Sequence, residues 1–130
     1  MNQMFKFGER SEKKLIGVDP LLVAVTRRAL ELSSRDFAVI EGLRSAERQG
    51  ELLRAGATKV KHSKHQDGKA VDVLPVGADW NKPQEWLPVL DAFWRAGEQL
   101  NVPLRFGYTW TDNPHDAPAK FCDAVHIEIN

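Results

Sequence analysis

Cysteine is nearly absent from this sequence: Cys122 is the only one in 130 residues. One thiol cannot close an internal disulfide framework, and a four-cysteine zinc site is excluded. Any metal held here must be held by histidine, aspartate or glutamate, with one thiolate at most. Net charge is absent as well. Lys and Arg number 18 and Asp and Glu number 18, so composition leaves no electrostatic footprint for nucleic acid or an anionic membrane. No run of about 18 apolar residues occurs, so no membrane-spanning helix is expected. The N-terminal "MNQMFKFGERSEKK" has neither an apolar core nor a cleavage site. A secretory signal is therefore not expected, and the cytosol where the chain is made is its expected location. Internal repeats, low-complexity tracts and long Gly/Ser linkers are missing too.

What remains suits one domain over residues 1–130. A chain of this length buries roughly 65–70% of its unfolded surface without help from disulfides. Asp19-Pro20 is a capping residue followed by a first-turn proline, and it predicts a helix with Leu22, Val25, Ala29 and Leu32 on one face. "DFAVIEG" reads as a strand with Phe37 and Val39 on one side. Ser45 caps a second expected helix that runs to about Ala55 and stops at Gly56. Residues 57–68 read as a basic loop, and "KAVDVLPV" as a strand that Pro75 ends. The segment "PQEWLPVLDAFWRAGEQL" predicts a third helix, regular from about Pro88, with Trp86, Leu90, Phe93, Gly97 and Leu100 on one side. "LRFGY" and "VHIEI" are the last strand candidates, joined by a long loop over 107–123. The expected fold is α+β, with three helices packed on a small, mainly antiparallel sheet.

The stretch "HSKHQDGKAVDVL", 62–74, holds the most concentrated chemistry. His65 and Asp72 are seven residues apart, almost two turns on a regular helix, but a reversal at Gly68 could return His65 to a strand carrying Asp72. Asp72 interrupts the apolar run "AVDVL". A lone carboxylate there is costly unless a cation or several donors meet it. A catalytic zinc takes three protein ligands and a water. The candidate third ligand is His126, a polar residue in the apolar run "AVHIEI". Alternation puts Glu128 on the same face, either orienting His126 or facing solvent. Plainer roles suit the rest. His62 and His115 read as loop histidines, Asp67 and Asp79 as exposed turn residues, Cys122 as a small buried hydrophobe, and Trp86 and Trp94 as helix packing.

Ser63, His65, Gly68, Ala70 and Asp72 stand as S-x-H-x-x-G-x-A-x-D, and Asp123 to His126 as D-x-x-H followed by Ile127-Glu128. This pattern resembles the zinc peptidases that cut peptidoglycan stem peptides, namely VanY-type D-alanyl-D-alanine carboxypeptidases and phage L-alanyl-D-glutamate endopeptidases. "GVDPLLVAVTRRALELS", "DFAVIEGLRSAERQGELLRAGATK" and "VPLRFGYTW" follow the order of the short phage members. The resemblance implies that His65, Asp72 and His126 ligate Zn2+. It further implies Asp123 as catalytic base, Arg44 as oxyanion stabiliser, Ser63 as a substrate-contacting hydroxyl and Trp110 as a pocket aromatic. "FGYTW" stands where many phage members have "GGDW", and "HIE" where they have "HFE". Asp rather than Glu before the last histidine resembles the endopeptidases. The implied function is a phage-type endolysin cutting the L-alanyl-D-glutamate bond. The alternatives are a D-alanyl-D-alanine carboxypeptidase and a zinc-containing module without turnover. The implied partner is the peptidoglycan peptide, with no nucleic acid and no membrane insertion, and the chain is expected to be a monomer. It would be stored in the host cytosol and reach the wall through a lesion made by another protein.

Overall fold

A computed structural model of the chain describes residues 5–58 and 62–130. The elements in order are α1 (Glu9–Leu15), α2 (Pro20–Leu32), β1 (Phe37–Glu41), α3 (Ala46–Arg54), β2 (Ala70–Pro75), α4 (Leu87–Leu100), β3 (Leu104–Phe106) and β4 (His126–Ile129), with 3-10 turns at Lys64–Asp67 and Pro83–Trp86. The four strands form one sheet in the order β1-β2-β4-β3, every neighbour antiparallel.

Local chemistry sets the helix ends. Asp19 accepts the Leu21 backbone N–H at 2.8 Å ahead of Pro20, and Ser45 accepts from Arg48 N–H at 3.0 Å. Asn101 closes α4 in the left-handed conformation at φ 57°, a role Asn tolerates better than most residues. The core lies between the sheet and the packed pair α2 and α4. Leu22, Val25 and Ala29 meet Leu90, Phe93 and Ala96, and Val39, Val71, Val73, Phe106 and Ile127 close it from the strands. Burying each large side chain contributes about 1.5–3 kcal/mol relative to exposure. Trp86 is buried and donates its indole N–H to the Val73 carbonyl at 2.9 Å, so the turn ahead of α4 is tied to β2.

Three expectations need correction. Besides the three expected helices there is α1, short and highly charged, with acids in its first turn and lysines in its last. Leu100, expected on the core side, is exposed, because it is the last residue of α4 and the chain turns away there. The expected loop over 57–68 contains the 3-10 turn Lys64–Asp67, and its residues 59–61 lie outside the described residues. Helix α1 matters to the site all the same. Ser11 accepts the Val39 N–H at 3.0 Å, and the backbone of Lys14 presses so closely on Gly42 that a Cβ there would lie 1.9 Å from the Lys14 carbonyl oxygen.

Candidate active site

The register of the sheet builds a polar row across it. Glu41 on β1 faces Asp72 on β2, and Asp72 faces His126 on β4. Simple alternation from Phe37 and Val39 would have sent Glu41 into the core. A bulge between Val39 and Glu41 prevents this, since one extra residue turns the rest of the strand over. Asp72, His126 and Glu128 occupy the face opposite Val71, Val73 and Ile127, as the alternation predicted.

His65 reaches this row from the 3-10 turn before β2. Ser63 caps that turn through its hydroxyl, 3.1 Å from the His65 N–H, and Gln66 Oε1 accepts the Ser63 N–H at 2.9 Å. Gly68 ends it at φ 70°, and its missing Cβ leaves room for the Gly17 carbonyl, which a methyl would approach to 2.7 Å. The Gly42–Arg44 segment then grips the turn twice. The Gly42 carbonyl accepts from His65 Nδ1 at 2.9 Å, and the Arg44 N–H donates to the His65 carbonyl at 2.9 Å.

The expected ligands converge. His65 Nε2 lies 3.0 Å and His126 Nδ1 3.3 Å from Asp72 Oδ1, and the three donor atoms all lie within 4.8 Å of one another. The outer nitrogens explain what the inner ones can do. His65 Nδ1–H is committed to Gly42, and His126 Nε2–H to Glu128 Oε1 at 2.8 Å. Neutral rings would therefore turn two nitrogen lone pairs toward a carboxylate oxygen. That arrangement is repulsive unless a proton or a metal cation stands between them. The donor set fits a divalent cation: two imidazoles, each with its other nitrogen fixed by an acceptor, and one carboxylate.

Charges follow the same logic. Burial works against ionised Asp72, but hydrogen bonds and charge from His126 and His65 outweigh it and hold the acid well below its usual range. Burial opposes charge on His126 too, yet Asp72 and Glu128 raise its pKa to about 9. Glu128 is likewise held low, burial being overcome by His126 and Lys64. The face shared by His126 and Glu128 is thus buried and paired, so Glu128 takes the orienting role and not the solvent-facing one.

Asp123 enters from the turn ahead of β4. Its N–H donates to the Gly107 carbonyl at 2.8 Å, and the Gly107 N–H donates to the His126 carbonyl at 2.8 Å. Its carboxyl pKa is raised, first by burial and then by the charge of Asp72, against the pull of His126, His65 and Arg44. A neighbouring cation alone would have lowered it; burial and a second carboxylate win here. Arg44 is not the solvated charge that a helix start would suggest. Glu41 takes its Nε and Nη2 at 2.6 and 2.7 Å, and buried Gln49 takes Nη1 at 2.7 Å. Trp110 stands beside the ligands, its ring 5.6 Å from that of His126. His65, Asp72, His126, Asp123, Arg44, Ser63 and Trp110 all line one cleft of about 550 Å³. His62 and His115 stay outside the donor cluster, bonded to Asp67 and Asp91. Glu41, Gln49 and the Gly42 carbonyl were not legible as site parts.

The phage L-alanyl-D-glutamate peptidase family matches residues 3–130. The chain belongs to this family. The L-alanyl-D-glutamate peptidase of Escherichia phage T5 is 38% identical over 134 residues, spanning 96% of this chain and 98% of its own. The crystal structure of the Serratia marcescens L-Ala D-Glu endopeptidase ChiX superposes with a TM-score of 0.82 at 32% identity, covering 98% of this chain and 92% of that one. The cleft brings together a metal-fitting donor set, a carboxyl beside it and a fixed guanidinium. Among the described residues no helix is long and apolar enough to cross a membrane.

Proposed function

We propose that this protein is a zinc-dependent endopeptidase that hydrolyses the L-alanyl-D-glutamate bond of peptidoglycan stem peptides, as a phage-type endolysin. The observation that carries the reading is the convergence of His65, Asp72 and His126 on one point beside Asp123 and Arg44. The names of the phage T5 and Serratia relatives support the choice of bond over D-alanyl-D-alanine.

His65, Asp72 and His126 would hold the ion. When bound, zinc supplies a water acidic enough to lose its proton near neutral pH and polarises the scissile carbonyl. Asp123 takes the proton of the attacking water and hands it to the leaving amine. Arg44, clamped by Glu41 and Gln49, keeps N–H groups to spare beyond those three bonds, and these stabilise the negative charge that develops on the carbonyl oxygen. Ser63 and Trp110 form the wall against which the stem peptide lies. Release to the wall would follow a membrane lesion made by another protein.

The test is digestion of sacculi with and without a chelator, with products identified by mass. Free L-alanine ends and D-glutamate amines that vanish on chelation and return with zinc are expected. Asp123→Ala should keep the zinc and lose turnover by roughly 10²–10⁴-fold. Release of terminal D-alanine alone would overturn the choice of bond.

A further inference from the structure

Among the described residues, four Lys and Arg side chains line the cleft: Arg44, Arg48, Lys64 and Arg105. Three have carboxylate partners. Arg44 meets Glu41 at 2.6 Å, Arg48 meets Glu51 at 3.1 Å and Lys64 meets Glu128 at 3.3 Å. Arg105 has none among the described residues, although its position is fixed. Its Nε donates to the Trp110 carbonyl at 3.3 Å, and its guanidinium lies over the Trp110 ring, 5.2 Å from the centroid. The group is thus held by one edge and one face. Its two terminal nitrogens, the fork suited to gripping a carboxylate bidentately, carry no bond to the described protein.

Trp110 is an unusual anchor. Its backbone sits at φ 53°, a left-handed conformation that is unfavourable for a non-glycine residue and persists where its surroundings enforce it. Its indole N–H donates to the Phe121 carbonyl at 2.9 Å. The same ring that steadies Arg105 lies against His126, so the unmatched cation stands one aromatic ring away from a metal ligand.

An L-alanyl-D-glutamate bond places a glutamyl nitrogen in the scissile amide. That glutamyl residue has two carboxyls. One carries the stem onward, and the other remains as an anion a few bonds from the reacting carbonyl. We propose that Arg105 is a specificity residue that binds this free glutamyl carboxylate through its terminal nitrogens, with Trp110 holding it in place. This inference rests on the proposed function and names how that site selects its substrate.

The experiment compares two synthetic peptides, acetyl-L-alanyl-γ-D-glutamyl-lysine amide and the same peptide with the glutamyl α-carboxylate converted to a carboxamide. The zinc-loaded wild type should favour the carboxylate by roughly tenfold or more in kcat/KM, the scale of a charge-assisted hydrogen bond. Arg105→Gln should bring that ratio close to one, while Arg48→Gln keeps it. Arg105→Lys should retain part of it, since a point charge replaces a fork. An unchanged ratio in Arg105→Gln overturns the inference, as does an equal loss on both peptides, which would make Arg105 a scaffold residue. Absence of any wild-type preference overturns it too, and all three outcomes leave the peptidase reading intact. If the wild type cleaves neither peptide, the reading and the inference fall together.

Discussion

Replacing Gly107 by alanine tests how tightly Asp123, the proposed base, and His126, the proposed last ligand, are coupled. A Cβ at 107 would sit 2.3 Å from the Asp123 carbonyl oxygen, 3.0 Å from His126 Cβ and 3.1 Å from Asp123 Cβ. Ordinary contact begins near 3.4 Å, so the 123–126 turn must retreat by about 1 Å or Gly107 must move. Neither is easy, because Gly107 bonds to that same turn in both directions, at 2.8 Å each. Overpacking of this kind costs about 1–3 kcal/mol of stability. A domain with a typical reserve of roughly 5–15 kcal/mol stays folded after such a loss. Activity has no comparable reserve: a displacement of about 1 Å in a catalytic group can cost ~10²-fold. We therefore expect Gly107→Ala to melt several degrees lower, remain folded at 25 °C, and lose about 100-fold in kcat/KM on a stem-peptide substrate. Thermal unfolding followed by circular dichroism and single-substrate kinetics at saturating zinc separate the two effects. Activity within threefold of wild type would refute the claim that Gly107 sets the position of Asp123 and His126.

Two further predictions concern charge. Glu41→Gln removes the carboxylate that grips Arg44 on two nitrogens; it is expected to leave zinc content unchanged while kcat falls by roughly tenfold, since the role proposed for Arg44 acts on charge present only in the transition state; a loss of zinc instead would assign Glu41 to the metal centre. In metal-free protein His126 is raised from 6.5 to about 9, so the stability it contributes is fully present below pH 6.5 and is lost as pH rises through about 9. Metal must displace that proton, so zinc affinity, measured by competition with a chelating dye, should rise between pH 6.5 and 9 and level off above; a flat profile would contradict the assignment.

The parts of the site legible in the sequence were those where a polar residue interrupts an apolar pattern. Asp72 in "AVDVL" and His126 in "AVHIEI" stand out because their neighbours Val71, Val73 and Ile127 belong to the core. Asp123 and Arg44 carried no such contrast, and only the resemblance to a peptidase family gave them roles. Glu41 was hidden by the bulge, which no spacing rule reveals before the strand pairing is known. Gln49 was hidden for a different reason. It reads as a polar position on a charged helix, and neither its complete burial nor its bond from Arg44 shows in the spacing. Helix α1 escaped notice because six charged and polar residues and a single leucine, with no side-chain cap, give neither a clear apolar stripe nor a start signal.

The hydrophobic pattern and the active site are one constraint. Side chains alternate across a strand, so β2 can bury Val71 and Val73 together only by lifting Asp72 to the other face, and β4 can bury Ile127 only by lifting His126 and Glu128. The pairing of Val71 with Ile127 then fixes Asp72 opposite His126. A slip of β4 by one residue would turn His126 and Glu128 into the core, at the cost of an imidazole and a carboxylate without partners in an apolar interior. The same alternation that stabilises the sheet therefore sets two of the three donor atoms, and only the third, from His65, needs a turn of its own. That turn relies on Ser63, Gly68 and the Gly42 carbonyl. Loosening it by Gly68→Ala, which would force a methyl to within 2.7 Å of the Gly17 carbonyl oxygen, should weaken zinc binding while the strand pairing of Asp72 and His126 persists. Retained wild-type zinc affinity in that variant would mean that His65 is held by the metal and not by the fold.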